Sequence, residues 1–212
     1  MKKLIFIILG SLFITSCGGV FPNPEPSPPQ PNYTESCSDL PERAVLENAE
    51  ASAFEIELAC LIKNHSEQGR PTMSYHPLLG EVARMRAQDM AQYGYYGDPN
   101  PHIDRHGYGP DYYICLLGYQ ADFCHVIDVR DNSVEVIAAS FYERDTPNRA
   151  FNAWLNSPGH RRIVLAETEY GYERIYFGAG YAYTPVSPDH PDSSGHYWVF
   201  ITVRPPIDEE VE

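Results

Sequence analysis

Apolar residues recur at helical spacing in three places along the chain and alternate with a period of two near its C-terminus. That change of period sets the expected elements. Phe54, Leu58, Leu61 and Ile62 share one face of a helix expected over residues 41–65. Leu79, Ala83, Ala87 and Met90 form the stripe of a second helix over 77–93, with Arg84, Arg86 and Asp89 expected to point away from the core. A third, shorter helix carries Phe151, Trp154 and Leu155 on its buried face. Thr146 and Pro147 suit its start, because Thr can cap and Pro is tolerated at the first helical position. Ser157-Pro158-Gly159 is expected to end it and to deliver His160 at the turn.

The period of two begins at Ile175. Ile175, Phe177, Ala179, Tyr181 and Tyr183 alternate with Tyr176, Gly178, Gly180 and Ala182, and a second such run spans 197–204. These read as antiparallel strands joined by a polar connection over 184–196, with a further strand expected over 133–142. Residues 94–130 show no sustained period and read as a long irregular stretch, a length usually functional or held by a disulfide. Helices early, strands late and a helix between them argue for an α+β domain.

The N-terminus stands apart from this pattern. Lys2 and Lys3 precede an apolar run from Leu4 to Phe13, which leads into Ile14-Thr-Ser-Cys17. This reads as a lipoprotein signal peptide over 1–16, with Cys17 as lipid attachment site; the run is too short to span a bilayer. Pro22, Pro24, Pro26, Pro28, Pro29 and Pro31 make 17–36 a Pro-rich, lipid-anchored tether of extended conformation. The folded domain is then expected over 37–206, followed by an acidic tail, 207–212.

Charge narrows the partners. The chain carries 15 Lys+Arg against 29 Asp+Glu, a net −14. Without Lys2 and Lys3 the balance is 13 against 29, or −16. A surface this acidic repels phosphate backbones and anionic headgroups, which argues against nucleic acid and leaves membrane attachment to the lipid. Once Cys17 is assigned to lipid, Cys37, Cys60, Cys115 and Cys124 remain, an even number suited to an oxidising compartment. They allow three pairings. Cys115–Cys124, closing a small loop, and Cys37–Cys60, tying the incoming tail to the first helix, are favoured. The sequence has no Cys-x-x-Cys, Gly-x-Ser-x-Gly, His-Glu-x-x-His, Walker or dinucleotide motif.

Three features occur in a telling order: His102 in an aromatic-rich segment, Asn132-Ser-Val-Glu-Val-Ile-Ala-Ala-Ser140, and Trp154 followed by Ser157-Pro-Gly-His160. Together they resemble the CAP superfamily of cysteine-rich secretory, antigen 5 and pathogenesis-related proteins, in its bacterial SCP-like branch, over residues 54–204. The resemblance implies a three-layer α-β-α sandwich with a central antiparallel sheet. It also implies a cleft lined by His102, Glu135 and His160. Those residues would hold Zn²⁺ or another divalent metal, or Glu135 would act as general base on a water. His106 is the alternative match to His102. Val134 and Val136 stand where the family has Gly and Asn, and a second acidic residue has no counterpart, Asn156 lying nearest. Tyr95, Tyr96 and Tyr108 are expected to wall the cleft with rings suited to an apolar or glycan ligand. The sequence therefore supports a monomeric, extracytoplasmic binding module anchored in the bacterial cell envelope. The alternatives are a hydrolase of envelope peptidoglycan or peptide, and an adhesin without cleft chemistry.

Overall fold

The computed structural model describes residues 49–168 and 171–206. The signal peptide, Cys17, the tether, Cys37 with its expected bond to Cys60, the start of the first helix and the acidic tail lie outside the described residues. The elements run α1 (Ala49–Lys63), β1 (Ser74–Tyr75), α2 (Pro77–Tyr93), α3 (Pro110–Leu116), β2 (Glu135–Ser140), α4 (Pro147–Leu155), α5 (Pro158–Val164), β3 (Tyr176–Thr184) and β4 (Gly195–Val203). A short 3-10 helix, Asp122–His125, lies between α3 and β2. The whole is α+β.

The strands form one sheet in the order β1-β3-β4-β2. β3 and β4 pair antiparallel along their full length, and so do β2 and β4. The sheet is not wholly antiparallel as expected, because β1 pairs parallel with the start of β3, Ser74 opposite Tyr176. Two residues are too few to show any period, and a parallel neighbour needs a long crossover that local pattern does not reveal.

Alternation then divides the core in two. Val136, Ala138, Phe177, Ala179, Tyr181, Trp198 and Phe200 face α1, α4 and the end of α5. Ile137, Ala139, Ala182, Tyr197, Val199, Ile201 and Val203 face α2 and α3. The helix stripes meet them as expected, with Leu79, Ala83, Ala87 and Met90 fully buried. α2 lies unusually close to β3. A Cβ on Gly178 would sit 2.2 Å from the Leu79 carbonyl carbon, and one on Gly180 would sit 2.2 Å from that of Ala83. Only glycine lets the helix backbone rest on the strand.

β2 ends the sheet, and side chains meet outward backbone groups at three of its residues. Asn132 Oδ1 accepts from Glu135 N at 2.9 Å. The Trp154 indole donates to Ile137 O at 2.9 Å, and the Tyr96 hydroxyl is hydrogen-bonded to the backbone of Ala139. The irregular stretch is held by the expected disulfide Cys115–Cys124, Cα atoms 5.5 Å apart.

Candidate functional site

Glu135 opens β2 on the face that looks at α2, and its side chain is inaccessible to solvent. A buried carboxylate needs partners for both oxygens. Arg86 of α2 donates through Nε to Oε1 at 3.1 Å, and His102 Nδ1 lies 3.0 Å from Oε2. An ionised carboxylate only accepts, so His102 donates from Nδ1 and keeps Nε2 as its free nitrogen. His102 is 23% exposed at its side chain.

Arg86 joins three elements. Besides Glu135 it donates to the His102 carbonyl at 2.7 Å and to the Tyr95 hydroxyl at 3.2 Å. It is 1% exposed. The expectation that Arg86 faces outward is therefore wrong. The signal was present: residue 86 falls three after Ala83 and four before Met90, on the apolar stripe itself. The reading of the helix by polarity overrode its spacing.

These contacts set the site's electrostatics. Burial alone would raise the Glu135 pKa, but the Arg86 charge and the hydrogen bond from His102 outweigh it and hold the carboxyl below its ordinary range. Glu135 thus stays ionised at neutral pH with both oxygens engaged. His160 is pushed below the ordinary imidazole range by burial and then by the nearby His102.

His160 reaches this place differently from expectation. Pro158 opens α5 rather than leaving a turn, since a residue without an N–H and with a fixed φ suits a first helical position. Ser157 is the N-cap of this new helix, of which His160 is the third residue. The start of α4 is as expected: Thr146 Oγ1 accepts from Arg149 N at 3.3 Å.

A family model, the cysteine-rich secretory protein family (CAP), matches residues 62–200, well over half of the chain and all three site residues. The chain belongs to the CAP family. This makes it a protein with a domain of extracellular type. It is also similar to the solved structure of an outer surface protein from Borrelia burgdorferi, at 18% identity with a TM-score of 0.44, covering 72% of this chain and 93% of that one. No curated protein matches it.

Within this CAP domain, His102 and not His106 contacts Glu135; His106 is exposed and donates its backbone N–H to Asp104 at 2.8 Å. Val134 and Val136 are buried on opposite faces of the sheet, in the two halves of the core. Asn156 caps the end of α4. The tyrosines divide. Tyr95 and Tyr96 are buried core residues, engaged by Arg86 and by β2. Tyr108 is half-buried and stacks on Tyr112 with ring centroids 4.4 Å apart. Sequence reasoning also missed Asp104, which holds that loop by accepting from Tyr113 Oη and from Tyr108 N. Among the described residues, no three His, Cys, Asp or Glu side chains gather as a metal site requires, and no helix is long and apolar enough to cross a membrane.

Proposed function

We propose that this protein is a cell-envelope binding module: a CAP domain held at a bacterial membrane by lipid on Cys17, taking its ligand between His102 and His160. The observation that carries this reading is the engagement of Glu135. A general base needs a lone pair open to water and a pKa near the working pH. Glu135 has neither, since Arg86 and His102 occupy its oxygens and hold it ionised. It acts through His102, fixing the tautomer and the ring direction, as a carboxylate behind a metal-ligating imidazole does.

The donor set therefore fits two imidazoles, His102 Nε2 and His160, with Glu135 behind them rather than as a third ligand. A divalent ion held there would polarise an oxygen of the bound ligand at its open positions. Tyr108 and Tyr112, stacked on the neighbouring loop, offer an apolar or glycan ligand a ring to lie against. Hydrolysis of envelope peptidoglycan or peptide is the second reading, and the His102–Glu135 pair favours it, because a carboxylate-backed imidazole is itself a base.

Calorimetric titration of Zn²⁺ into wild-type protein and into His102→Ala and His160→Ala tests the first reading. Binding is expected in wild type alone, weakening as pH falls through the histidine range, since an imidazole must be neutral to coordinate. Equal binding by all three would remove this site. Release of peptidoglycan fragments by wild type but not by His102→Ala would favour the second reading.

A further inference from the structure

A cavity of about 600 Å³ lies at the end of the sheet away from Glu135. Its size is in the range of small-molecule sites, roughly 300–1,000 Å³. Phe54 of α1 and Tyr181 and Tyr183 of β3 line it, facing Gln88 of α2 and the segment of Glu143 and Arg144. Ser140, at the far end of β2 from Glu135, registers with His196, which also borders the cavity. At about 3.3 Å per residue, some 17 Å of strand separate it from the histidine cleft.

The cavity's chemistry narrows its ligand. Arg84 is bound through both Nε and Nη2 by Glu55, at 2.9 and 2.8 Å. Asp145 accepts from Ser140 Oγ, Trp198 Nε1 and Thr146 N. Those charges are committed within the protein. Glu143, Arg144 and Gln88 are exposed and supply one carboxylate, one guanidinium and one amide around an aromatic wall. Tyr183 is 51% exposed, an open ring at the mouth.

Charges of opposite sign beside each other suit a ligand that is neutral and rich in both donors and acceptors. They disfavour a fatty acid, whose tail needs a closed apolar tunnel and whose carboxylate would meet Glu143. A peptide strand is disfavoured too. The register turns the backbone of Tyr181 and Tyr183 away from β4, but Glu55 Oε1 already accepts from Tyr181 N at 3.2 Å. The remaining edge is too short for strand addition. A sugar ring has an apolar C–H face and a rim of hydroxyls, which matches an exposed phenol ring flanked by carboxylate, guanidinium and amide. We propose that this cavity binds a neutral saccharide, with one ring stacked on Tyr183 and its hydroxyls held by Gln88, Glu143 and Arg144.

Calorimetry of the full-length protein with three neutral trisaccharides tests this: β-1,4-linked N-acetylglucosamine trimer, cellotriose and maltotriose, beside palmitate. At least one trisaccharide is expected to bind. Tyr183→Ala and Gln88→Ala, on separate elements, should each weaken it, the former by about tenfold or more, as for loss of one aromatic anchor. Tyr183→Phe should retain binding, and so should His160→Ala, which lies in the other cleft. Three silent trisaccharides would overturn the assignment. So would undiminished binding by Tyr183→Ala, loss of binding in His160→Ala, or palmitate binding that Tyr183→Ala abolishes.

Discussion

Arg86 is the side chain on which the placing of His102 and Glu135 depends most directly, since it bonds α2, the His102 loop and β2 together. Replacing it with Met would leave Glu135 charged, buried and short of a partner. Breaking one side of a buried ion pair costs about 3–5 kcal/mol. Urea denaturation of Arg86→Met should show a loss of that order, and adding Glu135→Gln should recover part of it. Acid should act in two steps. His160 has a folded-state pKa below the ordinary value of about 6.5, so the unfolded chain binds a proton first and stability falls as pH drops from there. Glu135 is also depressed, so its contribution is complete above the ordinary carboxyl value of about 4.3 and is lost as pH falls through its folded value. Denaturation midpoints across pH should show both limbs, and His160→Gln should shrink only the upper one, of which His196, likewise lowered by burial, keeps a share. At this scale the His102–Glu135 contact was legible from motif order. Arg86 was not, because a charge on an apolar stripe is read by its polarity when only its contacts reveal that it is neutralised.

Between elements, the close seating of α2 on β3 makes a sharper demand. Gly180→Ala would place a methyl 2.2 Å from the Ala83 carbonyl carbon, in backbone that has no side chain to swing aside. Overpacking of this kind costs about 1–3 kcal/mol or more, and a lowered urea midpoint should report it. β3 and β4 were legible because their residues alternate between two cores. β2 gave a weaker signal, all six of its residues being buried, Glu135 included. The start of α5 was misread because Pro ends one helix and opens another equally well, and the choice depends on packing beyond the local sequence. α3 and β1 are too short for any period to register.

For the molecule as a whole, the α+β class was legible from the order of periods and the three layers only from the family resemblance, whereas the parallel pairing of β1 depends on contacts about a hundred residues apart. The loop carrying α3 is held by Ile114 in the core and also by a covalent bond. Cys115–Cys124 closes a short loop, and the unfolded-chain entropy it removes corresponds to about 2.5 kcal/mol. Cys115→Ser with Cys124→Ser should lose up to that amount in denaturant. The loss should be smaller where residual structure already restrains the reduced chain.

The side chains along β2 bear on how copies of the protein meet one another. A terminal strand with open N–H and C=O groups is a template on which a second molecule can extend the sheet. Here Asn132, Trp154 and Tyr96 already engage that rim from three directions. The indole of Trp154 therefore does more than fill the core. By occupying the Ile137 carbonyl it denies a neighbour the foothold from which lateral sheet growth would start, so crowding need not become aggregation.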